Sequence, residues 1–133
     1  MPRITVQSMG WLRASVGVAL LAAPGAPLRL AGTEEPTGAA LLLMRTIGIR
    51  DLVLGLGTVA AARSGDGADA RRWTTATMAS DALDTVVSLA SVRSIGRRDS
   101  WSAAGLALVF TLGDLRALRT VAPDPAPAPA PAP

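Results

Sequence analysis

Thr37-Gly-Ala-Ala-Leu-Leu-Leu-Met-Arg45-Thr-Ile-Gly48-Ile-Arg50-Asp51-Leu-Val-Leu-Gly55-Leu-Gly57-Thr-Val-Ala-Ala-Ala62 carries three charges and is apolar in almost every direction around a helix. A helix on the surface of a water-soluble domain is polar over about half its circumference. One that is oily all round needs lipid about it, or a core larger than a chain of 133 residues builds. The preceding Glu34-Glu35-Pro36-Thr37 is a helix-start signal, with acids and proline in the first turn, and Arg63-Ser-Gly-Asp-Gly67 is a cluster of breakers. The stretch therefore reads as a helix over 37–62 that takes lipid as its solvent.

Working outward, three further apolar segments cover 11–30, 73–92 and 100–121. At ~1.5 Å per residue, about 20 residues cross the ~30 Å hydrocarbon layer, and the first segment is the marginal one. The expected fold class is all-α: a four-helix transmembrane bundle within residues 1–121, followed by a disordered Pro/Ala tail over 122–133. That tail, from Ala122 to Pro133, holds six of the ten prolines and suits extended polyproline II. Charges within the segments leave one alternative, a soluble four-helix bundle that turns them outward. The first segment has an alternative too. Arg3, Arg13, a short apolar core and Ala22-Ala23-Pro24-Gly25-Ala26 resemble a cleaved secretory signal, whereas the long lead and Trp11 at an interfacial position suit a retained anchor.

Composition removes most familiar chemistry. The chain has no Cys, His, Lys or Tyr, so cysteine nucleophiles, histidine bases, disulfides, Cys/His zinc sites and Schiff-base lysines are excluded. All thirteen basic residues are arginine against ten acids, a net charge of +3. They are scattered, with almost no stacking aromatics between them, so no nucleic-acid partner is expected; an anionic lipid surface uses the same charge better. Arg3, Arg13, Arg63, Arg71, Arg72, Arg116 and Arg119 fall on the side of the two termini and the middle loop. Arg29, Arg93, Arg97 and Arg98 fall on the other, and this imbalance predicts a multi-pass plasma-membrane protein with both termini cytoplasmic.

Charges at membrane depth cost ~2.5–3.5 kcal/mol each on insertion scales, so they face a bundle interior and pair. On the third segment Thr74, Thr77, Asp81, Asp84, Thr85, Ser88 and Ser91 recur at three- and four-residue steps, a single polar stripe. On the second, Gly48, Asp51 and Gly55 share a face where another helix can approach closely, and Gly57 is a further packing glycine. Arg50 lies well round the helix from Asp51, so the two serve different contacts. The expected network is Arg45, Arg50, Asp51, Asp81, Asp84 and Asp114. Two cations and four carboxylates leave a net −2, unless Arg13 or Arg116 reaches in or one or two acids hold a proton.

The string Arg45-x-x-Gly48-x-Arg50-Asp51-Leu52-x-Leu54-Gly55, followed by Asp81-x-x-Asp84, resembles a family of small four-span bacterial integral membrane proteins of unknown function, of actinobacterial type. The resemblance covers most of residues 10–120 and leaves out the proline tail, Pro24 and Pro27. It implies the architecture and singles out these residues, and it carries no activity with it. The excess of Ala, Arg and Gly over lysine also fits a bacterial genome of high GC content.

Three functions are compatible with these residues. The first is a non-enzymatic scaffold or accessory subunit in which the Arg–Asp network fixes helix register, with no metal and no cofactor; its partners are the lipid bilayer and a second copy or another membrane protein. The second is translocation of protons or a small solute through the polar stripe of an oligomer. The third is an enzyme acting on a lipid or isoprenoid, with a protonated aspartate as general acid and Arg50 binding an anionic group, or with Asp81 and Asp84 holding Mg²⁺ against a diphosphate. Gly55-x-Gly57 and Gly65-x-Gly67 match no complete nucleotide fingerprint and follow no strand.

Overall fold

Pro24 decides where the first helix ends. Its missing N–H and its ring, set against the carbonyl of Leu20, forbid a further turn. In the computed structural model, which describes residues 4–95 and 97–121, helix α1 (Val6–Ala22) stops there and a short, separate α2 (Gly25–Leu30) follows. The expected single helix over 11–30 is thus two. It also starts earlier than Trp11, because Thr5 and Ser8 form a capping box: the Thr5 hydroxyl accepts from Ser8 N–H at 3.1 Å and the Ser8 hydroxyl from Thr5 N–H at 2.9 Å.

Helix α3 (Gly38–Ser64) opens on Thr37, whose hydroxyl accepts from Ala40 N–H at 3.2 Å. It closes on Gly65 at φ +78°, the left-handed conformation that glycine takes without a Cβ penalty. Asp66 immediately caps α4 (Gly67–Ala90), one carboxylate oxygen accepting from the N–H groups of Ala68 and Asp69 at 2.9 and 3.3 Å. The breaker cluster is therefore a tight hairpin, and α4 begins ahead of the expected 73–92. Helices α5 (Val92–Ile95) and α6 (Arg97–Leu118) complete the helices of the described residues; the expected 100–121 helix starts and stops somewhat earlier. No strand occurs among the described residues. The tail assigned to 122–133 lies outside them.

The four long helices form an antiparallel ring in the order α1, α3, α4, α6. Gly10 of α1 lies against Gly55 of α3, and Gly17 against Gly48. A Cβ at Gly17 would meet the backbone of Leu52 and Gly48 at 2.5–2.7 Å, and one at Gly55 the backbone of Ala14 and Gly10 at the same separations. The two helices touch backbone to backbone along this seam, as small residues permit. Trp73 of α4 packs on Gly57 of α3, where a Cβ would fall 2.2 Å from its ring. Met9 of α1 closes the ring over Gly113 of α6. One end is sealed by Val6, Met9, Ala70 and Ala117, with Phe110 against them.

Elsewhere the interior mixes small apolar residues, Ala14, Val59, Ala61, Ala104 and Ala107, with polar and charged side chains. The largest fully buried side chains are Arg13, Thr58, Thr74, Thr77 and Asp114, and among the side chains described no leucine or isoleucine is buried. Leu42, Val53, Leu83, Val86, Leu106 and Val109 point outward. Among the described residues no helix is long and apolar enough to cross a membrane. Helix α1 is 17 residues long, and the charges of the interior interrupt the apolar sequence of α3, α4 and α6.

Candidate functional site: a buried arginine among three aspartates

Arg13 sits between Gly10 and Gly17 on the seam face of α1, so its side chain enters the middle of the ring. Each of the other three long helices brings one aspartate to it. Nη1 donates to Oδ1 of Asp81 (α4) at 3.1 Å and to Oδ1 of Asp51 (α3) at 3.4 Å. Nη2 donates to Oδ2 of Asp81 and, at 3.3 Å, to Oδ2 of Asp114 (α6). The Arg13–Asp81 pair is bidentate, the arrangement that a planar guanidinium fork favours. The Arg13 side chain is 2% exposed, and the three carboxylates are buried with it.

Two neighbours complete the shell. The ring of Phe110 lies with its centroid 4.8 Å from the guanidinium carbon, a cation–π contact. The hydroxyl of Thr77 is 2.8 Å from Oδ2 of Asp114, fixing that carboxylate from α4. The network then leaves the core through α3. Asp51 Oδ1 also accepts from Nε and Nη2 of Arg50 at 3.2 and 3.1 Å, and Arg50 Nη1 donates to Asp84, whose side chain is 43% exposed. A continuous chain results: Asp114, Arg13, Asp51, Arg50, Asp84.

Of the residues singled out in the sequence, Arg50, Asp51, Asp81, Asp84 and Asp114 are brought together. Arg45 is not: it is exposed and outside the network. Six residues at 3.6 per turn carry it about 120° round the helix from Asp51, which explains its absence. Gly48 and Gly55 meet α1, and Gly57 meets α4. The hub itself, Arg13, enters the sequence reading only as a cation that can reach inward, and Gly10 and Gly17 do not enter it. A signal for all three exists: Gly10-x-x-Arg13-x-x-x-Gly17 repeats the spacing of Gly48-x-x-Asp51-x-x-x-Gly55 with the charge reversed. Arg116 stays exposed at the end of α6.

Chemically, every group here is engaged by an opposite charge. Asp81 and Asp84 are each taken by a different guanidinium, and among the described residues no group of three or more potential metal ligands gathers. Among the described residues no hydroxyl is paired with a carboxylate that is free of an arginine or a backbone N–H. Compared with family models, with curated proteins and with solved structures, the chain matches none.

Proposed function

We propose that the chain is a small multi-pass protein of a bacterial plasma membrane, a scaffold or accessory subunit whose intramembrane Arg–Asp network locks four helices in register. The observation that carries this reading is the inverted polarity: Arg13, three aspartates and three threonines are buried, while no described leucine is and most of the large apolar side chains lie outside. In water, that arrangement forfeits the burial of its large apolar side chains while still bearing the desolvation of its charges. In lipid, both choices are favourable, because paired charges avoid hydrocarbon and leucines are solvated by it. The aspartates that interrupt α3, α4 and α6 (Asp51, Asp81, Asp84 and Asp114) are turned toward Arg13 or Arg50 and not toward the outside, and the 17 residues of α1 extend about 25 Å. Arg13 at the hub also supports retention of the first segment, since cleavage after Ala23 would remove it. The end formed by the α3–α4 turn holds Arg63, Arg71, Arg72, Arg116 and Arg119 against Asp66 and Asp69, which favours a cytoplasmic position for that end.

The test is fractionation of cells expressing the full chain, followed by flotation with liposomes after purification. The protein is expected in the membrane fraction, extractable by detergent and resistant to carbonate. A monodisperse protein in detergent-free buffer overturns the proposal. Asp81→Asn is expected to lower yield and thermal stability with no separate defect, as a packing role requires.

One observation favours a second reading, proton transfer. The ion-pair chain runs from the fully buried Asp114 to the half-exposed Asp84. Liposomes holding the purified protein that dissipate a pH gradient, and lose that property in Asp84→Asn, would select this reading over the scaffold.

A further inference from the structure

On the outer face of the bundle, α1 and α3 flank an open apolar groove of about 290 Å³, lined by Trp11, Ala14, Ser15, Val18, Leu52 and Leu56. The glycine seam creates it. Backbones in contact leave the buried Ala14 as a floor, and the larger side chains on either side stand up as walls. Ser15 turns its hydroxyl back onto the carbonyl of Trp11 at 2.9 Å, so the groove presents little polarity.

One end of the groove is cationic. Arg63, in the last turn of α3, holds its guanidinium carbon 5.6 Å from the centroid of the Trp11 ring. Arg63 is exposed, and no ion pair among the described residues involves it, so its N–H groups are available to an anion. Leu52 lies eleven residues before Arg63 on α3, about 16 Å deeper along the axis. A cation and an indole therefore mark the mouth, and hydrocarbon-like walls lead inward from it.

We propose that this groove binds an anionic phospholipid, its phosphate on Arg63, its glycerol region beside the Trp11 indole and one acyl chain along Leu56, Leu52 and Val18. The occupant follows from charge complementarity combined with shape. A zwitterionic lipid offers the same chain with a compensated headgroup, and about 290 Å³ is little room for a peptide helix ~10–12 Å across. The proposal rests on the bilayer reading above, and the experiment separates the two.

The full chain carrying Trp73→Phe and Trp101→Phe keeps Trp11 as its sole tryptophan. It is reconstituted in phosphatidylcholine vesicles containing equal mole fractions of either dibrominated phosphatidylglycerol or dibrominated phosphatidylcholine, and Trp11 quenching is read. Flotation of the same sample is measured first. Protein that fails to float sinks the bilayer reading and this site with it. For protein that floats, the fitted relative affinity is expected to favour phosphatidylglycerol about fivefold, the effect of one arginine near an anionic headgroup. Arg63→Gln is expected to bring that ratio to unity while flotation and circular dichroism stay unchanged, and Arg63→Lys to retain most of the preference. Equal quenching by the two lipids before mutation overturns the site alone, as does weak quenching by both, which would mean that a second copy covers the groove.

Discussion

Arg13 and Arg45 are the same residue type on neighbouring antiparallel helices, and they differ in everything that matters energetically. Arg13 is 2% exposed and compensates three carboxylates; Arg45 is exposed and compensates none of them. Removing one member of a buried charge cluster leaves the rest uncompensated, at a cost of about 3–5 kcal/mol. Arg13→Gln is accordingly expected to abolish a cooperative thermal transition in detergent, or to lower it sharply, whereas Arg45→Gln leaves it unchanged. Arg13→Lys should not restore it, because one ammonium cannot bridge Asp51, Asp81 and Asp114 as a forked guanidinium does. Residues in one network do not contribute additively. Arg13→Gln combined with Asp81→Asn is expected to lose less than the sum of the two single losses, since the second change removes a carboxylate that the first has stranded. A thermal double-mutant cycle in one detergent measures both effects, and strict additivity would remove the network from the argument.

At the scale of elements, the α1–α3 seam is held by the absence of side chains. Gly55→Ala sets a Cβ 2.5 Å from the backbone nitrogen of Ala14, so the helices must part, and overpacking of this kind costs about 1–3 kcal/mol. Gly105 on α6 has nothing within 4 Å of the same position, and Gly105→Ala should stabilise by about 0.5–1 kcal/mol through helix propensity alone. Opposite signs for the two substitutions in thermal melts are the expected result. The seam was half legible in the sequence. Gly48, Asp51 and Gly55 declare a face because three- and four-residue steps keep them on one side of α3. The matching Gly10, Arg13 and Gly17 have the same spacing, but they lie in a segment whose charge and length also suit a signal peptide, and pairing across helices is a tertiary fact. The start of α1 was hidden for another reason: a Thr5–Ser8 capping box lacks the acidic or amide residue that usually marks one.

For the whole molecule, the distribution of polarity could be read as a sum but not as a direction. The sequence shows oily helices with a few charges; whether those charges face inward depends on Arg13 meeting Asp51, Asp81 and Asp114 together. The chain has no cysteine, so single substitutions report exposure without further editing. In sealed vesicles, Val53→Cys on the outer face of α3 is expected to resist a membrane-impermeant maleimide until the bilayer is dissolved and the protein unfolded. Arg72→Cys, at the exposed start of α4, should react at once from one side only, and that side reports which way the basic end faces. Equal reactivity at both positions would contradict a lipid-solvated outer surface.

The hub has a consequence for how the chain is made. Its partners lie 38, 68 and 101 residues downstream of Arg13, so the nascent amino-terminal helix leaves the ribosome bearing a guanidinium that nothing yet neutralises. Each later helix delivers one counterion, and the last arrives only with Asp114. A translation product that stops short of that residue cannot finish the cluster, which gives a cellular protease a chemical criterion for telling complete molecules from aborted ones.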